Sequence, residues 1–173
     1  MGFTTVSNTA FFGGGGGPGG DDAGYSRVSY SADARDISAD TWTGLFPGGT
    51  VLSNERGMPA GVSGIINPSG INPGTLSVDD VMDFEVNFSV TPEINNCDVK
   101  VRLTFTRGGE TITFEEDLEK LSKGAGEEYS LKAGWTLPFE DSDMIGNPVS
   151  VEVLTSAPCA LKTKTCVAYL TRT

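Results

Sequence analysis

From residue 82 apolar and polar residues alternate, with Met82, Phe84, Val86, Phe88 and Val90 separated by Asp83, Glu85, Asn87 and Ser89. A period of two sustained over this length predicts a strand with one buried face. Pro92 and Asn95-Asn96 end it, and the next run puts Val99, Val101, Leu103 and Phe105 on one face with Lys100, Arg102 and Thr104 on the other. Arg107-Gly108-Gly109-Glu110 follows, and its Gly-Gly pair can take positive φ at both central positions, so a tight hairpin leading into Ile112 and Phe114 is predicted. Glu115 to Lys123 has Leu118 and Leu121 three apart, acids early, and Lys123-Gly124 at its end, which reads as a helix of one or two turns. Tyr129, Leu131, Ala133, Trp135 and Leu137 form a further alternating strand. Val149, Val151 and Val153 form the next, and Thr165 to Thr171 the last.

With a short strand at Thr75 to Val78, residues 76–173 hold about seven strands with turns every 8 to 12 residues, the rhythm of an immunoglobulin-like antiparallel β-sandwich. A two-sheet core of this kind is expected to fold without the rest of the chain. The alternative is an eight-stranded jelly roll that draws on the preceding region.

Residues 25–75 have a different texture. Short β-type runs at Tyr25 to Ser31, Thr50 to Ser53 and Val62 to Ile66 are broken by Pro47-Gly48-Gly49, Pro59-Ala60-Gly61, Pro68-Ser69-Gly70 and Pro73-Gly74. Punctuation this dense leaves room only for an irregular, turn-rich β base. Trp42 and Phe46 sit among these turns, where they plug a small core or meet a neighbouring chain.

Residues 1–24 read as an extended arm. GGGGGPGG at 13–20 has almost no side chains to bury and much backbone entropy to lose, so by itself it is a spacer. Phe3, Phe11 and Phe12 flank it. Large apolar groups on so short a segment either fold back on the parent domain or mark a contact with a partner.

Charge narrows the partners. Across 173 residues, 12 Lys+Arg against 23 Asp+Glu give a net charge of -11, which repels phosphate backbones and anionic lipid; neither nucleic acid nor membrane is an expected partner. No run approaches the 18 or so apolar residues of a membrane span, and Met1 to Phe12 lacks the pattern of a secretory signal, so a soluble, unexported chain is expected. The sequence has no His, which removes Ser-His and Cys-His nucleophiles and imidazole metal sites. Cys97, Cys159 and Cys166 are an odd number without a CxxC pair, so reduced structural thiols are expected; a Cys159–Cys166 bridge across a hairpin is the alternative in an oxidising environment.

Asp21-Asp22, Asp79-Asp80 with Asp83, and Asp141 with Asp143 are the carboxylate groupings a calcium ion uses, but none follows the spaced D-x-D-x-D-G loop, and solvated turns are the simpler reading. Glu115-Glu116-Asp117 with Glu119 offers the paired acids of a glycosidase, yet strand neighbours face opposite ways. Gly13 to Gly20 lacks the Lys-Ser or Lys-Thr of a phosphate loop. Trp135 is a core residue by default and a sugar-stacking platform otherwise. No enzyme and no cofactor is expected.

The succession DFEVNFSVTP, CDVKVRLTF, AGEEYSLKAGWTLP and NPVSVEVLT resembles immunoglobulin-like modules of the adhesion and surface-display type, over about residues 76–173. It lacks the antibody hallmark of a Cys on each sheet flanking a core Trp. A Gly-rich arm joined to such a module resembles the capsid decoration and head-fibre proteins of tailed bacteriophages. That resemblance implies a structural virion protein on the capsid surface, made in the host cytoplasm, whose arm and base grip the major capsid protein or another virion protein while the sandwich projects outward, as a homo-oligomer within the assembly. Phe3, Phe11, Phe12, Trp42 and Phe46 are then the partner-binding residues. The alternative function is an adhesive or carbohydrate-binding module for host or surface attachment.

Overall fold

The computed structural model describes residues 23–49, 51–122 and 125–172. The chain runs through β1 (Ala23–Tyr30), β2 (Arg35–Ile37), β3 (Thr43–Gly44), β4 (Val51–Arg56), β5 (Ile66–Asn67), β6 (Gly70–Ile71), β7 (Val81–Pro92), β8 (Cys97–Arg107), β9 (Glu110–Leu121), β10 (Tyr129–Pro138), α1 (Ser142–Gly146), β11 (Ser150–Thr155) and β12 (Cys159–Thr171). One large sheet has the order β10-β7-β12-β1-β4, with β2 also on β12, a second has the order β3-β11-β8-β9, and β5 pairs with β6 separately. Every pairing is antiparallel, and the two sheets close on one apolar core.

The antiparallel sandwich is as expected, and its connectivity is that of the jelly roll. An immunoglobulin sandwich pairs its first two strands with each other. Among the described residues the first long strand, β1, lies against the last, β12, and β8–β9 is the only hairpin between consecutive long strands. Dropping the added edge strand β4 leaves β10-β7-β12-β1 facing β3-β11-β8-β9, two four-stranded layers linked by crossings between them, which is the jelly-roll arrangement.

Residues 23–49 and 51–75 are therefore part of the same body. β1 covers one side of β12 over seven register pairs from Ala23↔Thr171 to Ser29↔Thr165, and β3 adds to β11. Val28, Tyr30, Leu45, Ile65 and Ile71 join Met82, Phe88, Leu103 and Val153 in a single buried cluster. Division of the chain at residue 75 runs through one hydrogen-bonded sheet.

Local differences from the sequence reading have physical causes. Glu115 to Leu121 is strand, not helix: β9 pairs with β8 along its whole length, from Arg107↔Glu110 to Cys97↔Leu121, and that ladder outweighs a local helical preference. Lys123 and Gly124 lie outside the described residues. The one helix among the described residues is α1, where Asp141 accepts from the Met144 N–H at 2.9 Å as N-cap. Thr75 to Val78 forms turns closed by Leu76 N–H to the Pro73 carbonyl and Asp80 N–H to the Ser77 carbonyl, so six strands follow residue 76 among the described residues instead of seven. Of Val62 to Ile66, only Ile66 enters a strand.

β12 starts six residues before the alternation was legible, because a bulge between Thr163 and Thr165 switches its phase. Cys159, Leu161 and Thr163 point inward before it; Cys166, Ala168 and Leu170 do so after it. Both cysteines are thus buried on one strand, which rules out the Cys159–Cys166 hairpin bridge. Gly108 and Gly109 have φ of 58° and 77°, the two positive values that the predicted β8–β9 turn requires.

Candidate interaction surface

β4, β1 and β12 lie side by side, and their outward residues fall into rows set by register. Arg56, Tyr25 and Tyr169 form one row, Asn54, Arg27 and Val167 the next, and Leu52, Ser29 and Thr165 the third. Leu52 is 77% exposed and Tyr169 57% exposed, and the Tyr25 and Tyr169 rings meet at 6.4 Å between centroids. A shallow concavity of about 200 Å³ runs along this face, lined by Arg27, Ser29, Leu52, Ser53 and Asn54.

Most basic side chains away from this face are paired. Lys100, Arg102, Arg107, Lys120, Lys132, Lys164 and Arg172 each have a carboxylate partner. Arg27 and Arg56, like Arg35 and Lys162, have none among the described residues, although the chain carries an excess of acid. Two available guanidinium groups beside two tyrosines and an exposed leucine is the composition that protein interfaces favour at their centres. β4 is also the end strand of its sheet, so its outer backbone edge has no partner strand among the described residues.

The partner-binding residues expected from sequence are not gathered here. Phe3, Phe11 and Phe12 lie outside the described residues. Phe46 packs against the core with its ring 6.1 Å from Tyr30. Trp42 lies over the opposite sheet, where the Arg102 guanidinium stacks 4.5 Å from its ring centroid and donates to Glu152 at 2.7 Å. Trp42 and Phe46 are both half-buried, and each has a contact within the fold. The surface residues that the sequence reading missed, Tyr25, Arg27, Leu52, Arg56 and Tyr169, come from three segments and share a face only once the strands are paired.

The acidic groups have structural partners too. Asp80 is 1% exposed, accepts from the Ser77 N–H at 2.8 Å, and is held by Arg172. Asp83 accepts from the Thr136 hydroxyl. Asp141 and Asp143 accept from the Gly108 and Gly109 N–H groups at 2.9 and 2.7 Å, clamping the β8–β9 turn against α1. The N–H donors of Met144 and Gly108, together with Arg107, hold Asp141 below its ordinary value of 3.8, against the opposing effect of desolvation. Asp21 and Asp22 lie outside the described residues. Glu115, Glu116, Asp117 and Glu119 line the exposed end strand β9, with Asp117 paired to Lys100 at 2.9 Å. Trp135 is half-buried with its ring 5.6 Å from Phe84, the cross-strand neighbour. No helix among the described residues is long and apolar enough to cross a membrane.

No family model and no curated protein matches the chain. Among solved structures it is similar to a chain in the structure of infectious bursal disease virus Gt strain, with 11% identity and a TM-score of 0.43. That match covers 86% of this chain and 33% of the other, so the chain spans about a third of that solved chain.

Proposed function

We propose that this protein is a structural virion component, fastened to the major capsid protein or another shell protein through its N-terminal arm and the β1–β4 face, with the remainder of the sandwich turned outward. Jelly rolls serve viral capsids and lectins alike, so the reading rests on the surface and not on the fold. The observation that carries it is the pairing of an interface-type face with the arm: residues 1–22 lead directly into β1, and β1 supplies Tyr25 and Arg27 to that face. An arm that precedes β1 in the sequence and a face that β1 helps to build engage one neighbour together, so each raises the effective concentration of the other. Arginines without a carboxylate partner among the described residues suit an acidic patch on the shell, and charge of this sign steers docking. The acid-rich remainder discourages self-association of the projecting body.

Electron microscopy of purified particles with an antibody to the β8–β9 hairpin tests the reading. Regular labelling of intact particles is the expected result. A chain that fractionates away from particles, or that retains an immobilised glycan in the isolated state, overturns it in favour of an adhesive module.

A further inference from the structure

Cys97 opens β8 in one sheet and Cys159 opens β12 in the other, so their side chains enter the core from opposite layers at one end of the sandwich. Their sulfurs lie 3.7 Å apart, and the residues are 0% and 2% exposed. The backbone around them is already tied together. Ser156 N–H donates to the Asp98 carbonyl at 3.0 Å, Asp98 N–H to the Ser156 hydroxyl at 2.8 Å, and Glu93 N–H to the Pro158 carbonyl at 3.0 Å. A disulfide needs sulfurs at about 2.05 Å, and the remaining gap of about 1.7 Å is of the size that rotation of two short side chains covers. Cys166 stands apart. It is buried on β12 beyond the bulge, in register with Val28 on β1 and Val86 on β7, and belongs to the apolar core.

We propose that Cys97 and Cys159 form an intramolecular disulfide that staples the two sheets when the protein meets an oxidant of the small-disulfide class. One thiol, as thiolate, attacks the oxidant, forming a mixed disulfide and releasing one small thiol. The second protein thiol displaces the other half. The oxidant gains the two electrons, the two protons end on its released thiols, and the protein loses two hydrogens. Burial pushes the Cys159 thiol up to about 12, so it reacts slowly while the sandwich is closed. The bridge therefore forms during folding, or when the strand starts open beneath the turn at 93–96, whose residues are all exposed. Linking positions 62 apart restricts the unfolded chain substantially.

The test is oxidative refolding of the full chain in a mixture of oxidised and reduced glutathione, followed by alkylation and a non-reducing tryptic map. Trypsin leaves the three cysteines in separate peptides, 57–100, 133–162 and 165–172. The expected product joins the first two and leaves the third alkylated. Its Tm exceeds that of the reduced chain by about 5–15 °C. That gain disappears with reductant, is absent in Cys97→Ala, and persists in Cys166→Ala. Three alkylated cysteines after refolding, an unresolved glutathione adduct, or a bridge to Cys166 or to a second chain would each overturn the proposal. The wild-type map decides even if the alanine variants fold poorly.

Discussion

Arg172, one residue past β12, grips the buried carboxylate of Asp80 with two nitrogens, Nε to Oδ1 at 3.1 Å and Nη2 to Oδ2 at 3.2 Å. The pair ties the end of the last strand to the turn before β7, beside the point where β1 begins at Ala23↔Thr171. Removing the arginine leaves a buried charge without its cation. Because the Arg172 side chain is itself partly exposed, the cost is below that of a fully buried pair, about 2 kcal/mol, or roughly 4–8 °C in Tm. Arg172→Ala is expected to show this loss in a thermal melt, while Arg27→Ala, which breaks no ion pair among the described residues, stays near wild type.

Substitutions on β7 and β8 separate the two faces of each strand. Phe88 and Val101 have no exposed surface, and an aspartate at either place buries an unpaired charge at a cost of several kcal/mol against a total stability of roughly 5–15. Phe88→Asp and Val101→Asp should abolish the cooperative melt seen by circular dichroism. Glu85 faces outward and pairs with Lys132 at 2.9 Å, so Glu85→Lys loses a surface ion pair and stays folded at a cost of under about 1 kcal/mol. Equal stability for inward and outward variants would reverse the assignment of faces.

The alternation at 82–90 and 99–105 was legible because each strand has one apolar and one polar face, a property written in consecutive residues. β9 was not, because its faces are nearly all exposed and its strand state is imposed by β8. The jelly-roll order was hidden for a related reason: β1 and β12 are neighbours in the sheet and far apart in the chain. The same holds for Cys97 beside Cys159, and for Arg56, Tyr25 and Tyr169 in one row. Local periodicity reports which way a side chain faces, and only non-local pairing reports what stands next to it.

A domain boundary at residue 75 has its own consequence. A fragment of residues 76–173 lacks β1 and β3, exposing one edge of β12 and the apolar surface that Val28, Tyr30 and Leu45 cover. Each of those side chains contributes roughly 1.5–3 kcal/mol on burial, enough together to exhaust a marginal domain. The fragment 23–173 should melt cooperatively and the fragment 76–173 should not. A cooperative melt of the shorter piece would establish it as an independent unit.

Acid should loosen the β8–β9 turn through Asp141. Its folded-state value is depressed, chiefly by the Met144 N–H, so its stabilising contribution is present above its unfolded value near 3.8 and is lost as pH falls through the lower folded value. In melts from pH 6 down to pH 2, Asp141→Ala should be less stable than wild type at pH 6, and the two curves should converge below about pH 4. A gap that stays constant over the whole range would mean that the carboxylate charge has no part in holding the turn.

Attachment can be divided between arm and face. The two sheets close on a core built from Val28 to Leu170, so deleting residues 1–20 should leave the melt of the sandwich unchanged. The deletion removes Phe3, Phe11 and Phe12, whose burial on a partner would contribute roughly 1.5–3 kcal/mol each, and occupancy on particles should fall at least tenfold. Arg27→Glu with Arg56→Glu changes charge on an exposed face and should leave the fold intact while lowering occupancy and its sensitivity to salt. Densitometry of gradient-purified particles, with the melt as the folding control, reads both. Full occupancy of the truncated chain would move attachment to the β1–β4 face alone; full occupancy of the double charge reversal would leave the arm as the only anchor; and full occupancy of both together would remove this entire edge of the sandwich from the contact.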